Sequence, residues 1–251
     1  MRTETGGGVS VAATANTQAL QQNRRFTKRP LRRSDGNQTV LLLHGKEVPS
    51  APLLGVLAER GLNPVTVRAG ERGQSLPDPK SVGLAILVGS APYSDVAGLE
   101  WHARELNWLR QANRGETSVL GIGHGARAIA IAFGGAVEAA PRPHLGWAMV
   151  STSVPHQVAA GPWLSWQHDV ITLPPRAELV AHNRYGPQAF WIGRHLAVQF
   201  HPEATTDSVA RWAADTGDEP TVAGLLGATS RDAAAADVCA RRLFSTFISR
   251  L

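Results

Sequence analysis

Cysteine is almost missing from this chain of 251 residues: Cys239 stands alone. That excludes an internal disulfide framework and any site built on several thiolates, and it points to a reducing, cytoplasmic setting. Long apolar runs are lacking too. None approaches the roughly 20 residues that a bilayer crossing needs, so no membrane association is expected. The nine histidines include no HxH or HxxxH pair, and no metal or cofactor is expected. Gly6-Gly7-Gly8 lacks both a preceding strand and a following Lys-Ser/Thr, so it is no phosphate loop.

Excess charge is absent from most of the chain. The net charge is +5, but residues 1–38 hold Arg2, Arg24, Arg25, Lys28, Arg29, Arg32 and Arg33 against Glu4 and Asp35. Basic and acidic side chains balance in the rest. A neutral body with its surplus confined to one tail has no electrostatic footprint for a duplex, so no nucleic-acid partner is expected. Residues 1–38 read as a basic, flexible extension with no compact apolar stretch of signal-peptide type. Residues 39–251 are long enough for one well-filled core, and a body of this kind handles a small molecule or a protein.

What is present has the rhythm of an α/β fold, with short aliphatic runs separated by Gly/Pro turns and helical patterns. Thr39 to His44, Pro64 to Arg68, Gly83 to Val88 and Val119 to Ile122 predict parallel strands. Pro52 to Arg60 predicts a helix with Leu53, Leu54 and Leu57 on one face and Gly61 as its cap. Asp95 to Asn113 predicts another, with Leu99, Trp101, Leu106, Trp108 and Leu109 on its apolar stripe. Gly123-His124-Gly125 then makes a sharp turn into a helix over Ala126 to Phe133, whose free backbone donors point at whatever sits on the turn. Short β-like pieces follow at Trp147 to Val150, Asp169 to Leu173, Glu178 to Ala181, Ala189 to Ile192 and Leu196 to Phe200. They suggest an antiparallel element beside the main sheet. Ala233 to Leu251 predicts a closing helix with Val238, Leu243, Phe244 and Phe247 on one face.

Two segments carry the chemistry: Val119-Leu120-Gly121-Ile122-Gly123-His124-Gly125-Ala126-Arg127, and Val198-Gln199-Phe200-His201-Pro202-Glu203. Their order and spacing resemble the class I, triad-type glutamine amidotransferase family. Further points of likeness are Gly89-Ser90-Ala91-Pro92, Phe133-Gly134-Gly135, Gly161-Pro162-Trp163 and Gly186-Pro187-Gln188-Ala189-Phe190. The resemblance implies a flavodoxin-like, mostly parallel sheet flanked by helices, with a small antiparallel element. It also implies a thiolate on the strand-to-helix turn that attacks the glutamine carboxamide, a histidine oriented by a glutamate, and backbone amides that hold the oxyanion.

Where that family places its cysteine, this chain has Gly123. Removing such a nucleophile typically costs on the order of 10⁶ in turnover, so glutaminase activity is expected to be absent. Cys239, in the closing helix, reads as an inert packed thiol. Other positions also depart from the family pattern: Ser90 and Ala91 in the loop, Ala126 and Arg127 after the turn, and Gln167 and His168 in a Trp-His-x-Asp region. Changes gathered around one pocket read as natural divergence. His201 and Glu203 remain, either as a general base pair or as a surviving structural hydrogen bond. His124 offers a backbone amide while its side chain packs, and Arg127 either clamps a ligand carboxylate or extends to solvent. The ligand-binding set expected on this basis is Ser90, Ala91, His124, Arg127, Gln167 and His168. Two kinds of function follow: a pseudoenzyme that binds a ligand or docks onto a synthetase or other pathway enzyme, or an enzyme of a specialised biosynthetic pathway with different chemistry, using His201 and Glu203.

Overall fold

The computed structural model describes residues 38–44, 50–90, 95–214 and 219–251. The basic tail and Ala91 lie outside them. Alternation of side chains along the central strands sets the architecture. In β1 (Gln38–Leu43) and β3 (Val82–Gly89), Leu41, Leu43, Leu84, Ile86 and Val88 face one layer, while Val40, Leu42, Ala85 and Leu87 face the other. Strands apolar on both faces belong to a sheet covered on both sides. Helices α1 (Ala51–Glu59) and α5 (Glu219–Ile248) supply Leu53, Val56, Leu57, Leu243, Phe244 and Phe247 to the first layer. Helices α2 (Glu100–Arg114) and α3 (His124–Ala132) supply Trp108, Leu109, Ala112, Ala128 and Ile129 to the second.

With β2 (Pro64–Arg68), β4 (Ser118–Gly123), β6 (Ser151–Thr152), β8 (Glu178–Asn183), β9 (Gly186–Ile192) and β10 (His195–Val198), the main sheet runs β2-β1-β3-β4-β10-β9-β8-β6. Pairings from β2 through β10 are parallel, and those from β10 onward are antiparallel. The α/β expectation and its parallel core are therefore met. Because β1 leads to β2 on one side and β3 lies on the other, the strand order reverses between β1 and β3, where open α/β sheets leave a crevice at their carboxyl ends.

Several sequence expectations need correction. Leu196 to Phe200, expected in the antiparallel element, contributes β10, which pairs parallel with β4. The closing helix begins at Glu219 rather than Ala233, and Leu54 and Val238, expected on apolar faces, are exposed. The helix expected from Asp95 starts at Glu100, and Leu99 is its exposed N-cap. Its fully buried face carries His102 and Glu105 beside Trp108, Leu109 and Ala112. Those two polar side chains turn inward because partners await them, which hydropathy cannot report. The strand piece expected at Trp147 to Val150 is the end of a longer strand, β5 (Ala136–Ala148), paired antiparallel with β7 (Trp163–Thr172) as a separate two-stranded sheet. Pro141 and Pro143 mask it in the sequence, and they sit where the register shifts, between Ala139 and His144, as prolines in edge strands do. Helix α4 (Thr206–Ala214) has no counterpart among the sequence expectations. It brings Val209 and Trp212 against Leu164 and Trp166 of β7. The Gly61 cap is as expected: its backbone is left-handed, with the Leu62 amide bonded back to Leu57 O at 2.9 Å.

Candidate active site

Adjacent parallel strands β3 and β4 end in register, Gly89 opposite Gly123, so their carboxyl ends open at one level. Gly123 has φ 55° and ψ −107°, and α3 begins at the next residue. This is the strained strand-to-helix turn that presents a nucleophile in hydrolase-type folds. Gly125 lets the helix start lie directly against Leu87, where a Cβ would meet backbone.

Beyond β10 the chain hydrogen-bonds to β7 through the His201 amide and Leu164 O at 2.8 Å. That bond fixes His201 over the turn. Its Nδ1 lies 2.7 Å from Glu203 Oε1, both side chains are buried, and its ring stands edge-on to Trp212. The Nε2 atom is buried and has no hydrogen-bond partner among the described residues. A Cβ placed on Gly123 would lie 2.5 Å from His201 Cε1 and 2.9 Å from Nε2, and would collide with Gly89 O. The turn, the imidazole and the end of β3 thus close over position 123.

The other expected residues divide between neighbouring networks. Arg127 is fully buried, with Nε 3.4 Å from Asp169 Oδ2. Extension to solvent is therefore not what the fold does with it. Burial lowers the guanidinium pKa to about 10, against the opposing pull of Asp169. His168 is half-buried, and burial lowers its pKa while Asp169 and Asp95 favour its charged form and Arg127 opposes it. Gln167 exchanges two amide hydrogen bonds with Gln188, at 2.7 and 3.3 Å. It also lines a cavity of about 520 Å³ with His144, Asp169, Arg184 and Tyr185. The Cys239 thiol lies 3.5 Å from Gly161 O, and burial raises its pKa, as suits an unreactive thiol.

A second cluster has almost no signature in the sequence. His44, just past β1, places Nε2 3.0 Å from Glu105 Oε1; His124 Nε2 lies 3.3 Å and His102 Nδ1 3.4 Å from Glu105 Oε2. All four side chains are buried. Burial pushes the Glu105 carboxyl up, but His44 and the three imidazole contacts outweigh it and hold the group well below the usual carboxylate range. Burial, reinforced by His44, pushes His124 down to about 3 against the pull of Glu105. The His124 side chain therefore belongs to a polar network rather than to apolar packing. The one local signal is His102 and Glu105 three apart on a helix. The remaining partners come from strand ends far away in the chain.

A family description for class-I glutamine amidotransferases matches residues 56–211. The chain belongs to that family. Over 92 residues it is 36% identical to a glutamine-hydrolysing GMP synthase of Thermomicrobium roseum, a stretch covering 34% of this chain and 18% of that relative. The chain thus spans under a fifth of the length of that relative. A glutamine amidotransferase structure from Methylobacillus flagellatus superimposes with a TM-score of 0.76 at 20% identity, covering 85% of this chain and 95% of the other. One from Thermotoga maritima gives 0.70 at 22%, covering 84% and 98%. At these identities the likeness establishes a shared fold. Among the described residues no helix is long and apolar enough to cross a membrane.

Proposed function

We propose that this amidotransferase-fold protein does not hydrolyse glutamine and acts as a binding member of its family, holding a small molecule at the β3/β4 edge or docking onto a synthetase-type enzyme. The observation that carries this reading is the closure at Gly123. The position offers no nucleophile, and Gly89 O and His201 fill the space that a side chain there would need. A thiolate mechanism needs an atom to attack with and room for it to swing. A ligand would meet the Gly89–Ser90 edge, the first amides of α3 and the His201 imidazole. Arg127 and Gln167 serve that surface by holding its walls, since each already has a buried partner. The glutamine-hydrolysing relative is a far longer protein, which supports a partner enzyme as the alternative occupant of this edge.

One observation favours a second reading, an enzyme with other chemistry. His201 keeps a carboxylate on Nδ1 and a buried Nε2 with no hydrogen-bond partner among the described residues, the arrangement of a general base awaiting a proton. Acyl transfer, cyclisation or C–N bond chemistry would use it.

The test is direct. Purified protein incubated with glutamine is expected to release no glutamate or ammonia above buffer. Turnover that disappears in His201→Ala would overturn the proposal.

A further inference from the structure

The reversal of strand order between β1 and β3 is where an open α/β sheet exposes a crevice at its carboxyl edge, and the His44–Glu105–His124 cluster stands there. His44 follows β1, His124 follows β4, and α2 lowers Glu105 between them. Among the described residues these three form the one group of His, Cys, Asp and Glu whose ligand atoms all lie within 4.8 Å of one another. The nitrogen–oxygen separations of 3.0 and 3.3 Å are close to the edge lengths of a coordination shell whose metal–ligand bonds are about 2.0–2.2 Å. His102 Nδ1, 3.4 Å from Glu105 Oε2, is near enough to supply a fourth donor.

His44 is held as metal-bound histidines are held. Its Nδ1 donates to Val88 O at 2.8 Å, which fixes the ring and the tautomer with the lone pair on Nε2. That nitrogen faces Glu105 Oε1. With both ring nitrogens turned toward acceptor oxygens, the position facing Glu105 must hold either a second proton or a cation. Glu105 and Trp101 line a cavity of about 450 Å³ together with Leu42, Val67 and Trp108, so open space borders the cluster on its Glu105 side.

We infer that His44, Glu105 and His124 form a binding site for one divalent first-row transition cation such as zinc or cobalt. Two imidazoles and a carboxylate are the donor set that such ions share. The competing arrangement, a carboxylate collecting imidazole protons, binds no metal and so makes the opposite prediction.

Trp101 is a built-in reporter. Its ring centroid lies 5.4 Å from that of His44, 5.7 Å from His102 and 5.9 Å from His124, yet it supplies no ligand. The experiment uses the full, untagged chain, stripped with chelator and titrated with Co²⁺ and Zn²⁺. Metal content is read after gel filtration and tryptophan emission is read during the Co²⁺ titration. The expected result is one ion per chain, with emission quenched in the wild type. In Trp101→Phe the stoichiometry should stay the same while the quenching largely disappears. Glu105→Gln is expected to weaken binding by about 100-fold or more, at least as much as loss of a supporting partner costs. Less than about a tenth of an ion per chain, equal affinity in Glu105→Gln, or quenching that survives Trp101→Phe would overturn the inference. The last outcome would place the ion elsewhere, for example at His201, where Trp212 lies 4.9 Å away. Should Glu105→Gln fail to fold, the Trp101→Phe comparison still decides, because Trp101 is only half-buried.

Discussion

Gly123 holds a left-handed backbone in a space already occupied by Gly89 O and His201. For a residue with a Cβ the backbone alone costs about 1–2 kcal/mol, and overpacking the site adds about 1–3 kcal/mol. Gly123→Ala is therefore expected to lower unfolding stability by about 2–5 kcal/mol in urea titrations. A loss below about 0.5 kcal/mol would show that the site opens readily. The same crowding predicts that Gly123→Cys does not regain glutaminase activity, because restoring sulfur does not restore room for it. Ammonia release by a well-folded Gly123→Cys protein would contradict that account. The lone Cys239 offers no substitute, since it is bonded to Gly161 O and burial favours its protonated form.

Between elements, the buried pair of Arg127 and Asp169 ties α3, the helix that starts at the turn, to β7 of the smaller sheet. Burying two charges is costly, and such a pair often gains little over an apolar replacement. Breaking it by removing one partner typically costs about 3–5 kcal/mol, because a bare charge is left behind. Asp169→Asn is expected to destabilise by about that much, while the double change Arg127→Met with Asp169→Leu should lie closer to wild type than either single change. Equal, additive losses in a thermodynamic cycle would mean that the two side chains do not act as a unit. Element by element, the sequence is most legible where one local rule dominates. Strands β1 to β4 follow from aliphatic alternation, and the end of α1 follows from Gly61. It is least legible in β5, where prolines interrupt a pattern that pairing with β7 sustains, and in α2, where the inward face includes His102 and Glu105.

For the molecule as a whole, buried histidines make stability sensitive to acid, and His195 is one that stands apart from the candidate site. His195 at the start of β10 is fully buried and stacks on Phe133, with Nε2 3.2 Å from Asn113 Oδ1. Burial, with Arg194 nearby, lowers its pKa from 6.5 to about 4. Above pH 6.5 the ring is neutral whether the chain is folded or not, so it contributes no pH dependence. Between about 6.5 and 4 the unfolded chain takes up a proton that the folded chain refuses, and stability falls as pH drops, by at most about 3 kcal/mol. Below about 4 this contribution levels off. Unfolding free energies measured across that window are expected to show a shallower slope in His195→Asn than in the wild type. An unchanged slope would assign the acid sensitivity to other groups.

The sequence by itself determined the α/β class, strands β1 to β4 of the parallel core and the pairing of His201 with Glu203. These rest on short-range rules: side-chain alternation, turn chemistry, and two residues on either side of a proline. It also determined that position 123 has no side chain. Only the tertiary structure decided that this position is closed, because Gly89 and His201 reach it from separate strand ends. Only the tertiary structure brought His44, Glu105 and His124 together. Strand register and helix packing set those approaches, and neither leaves a local trace in the order of residues.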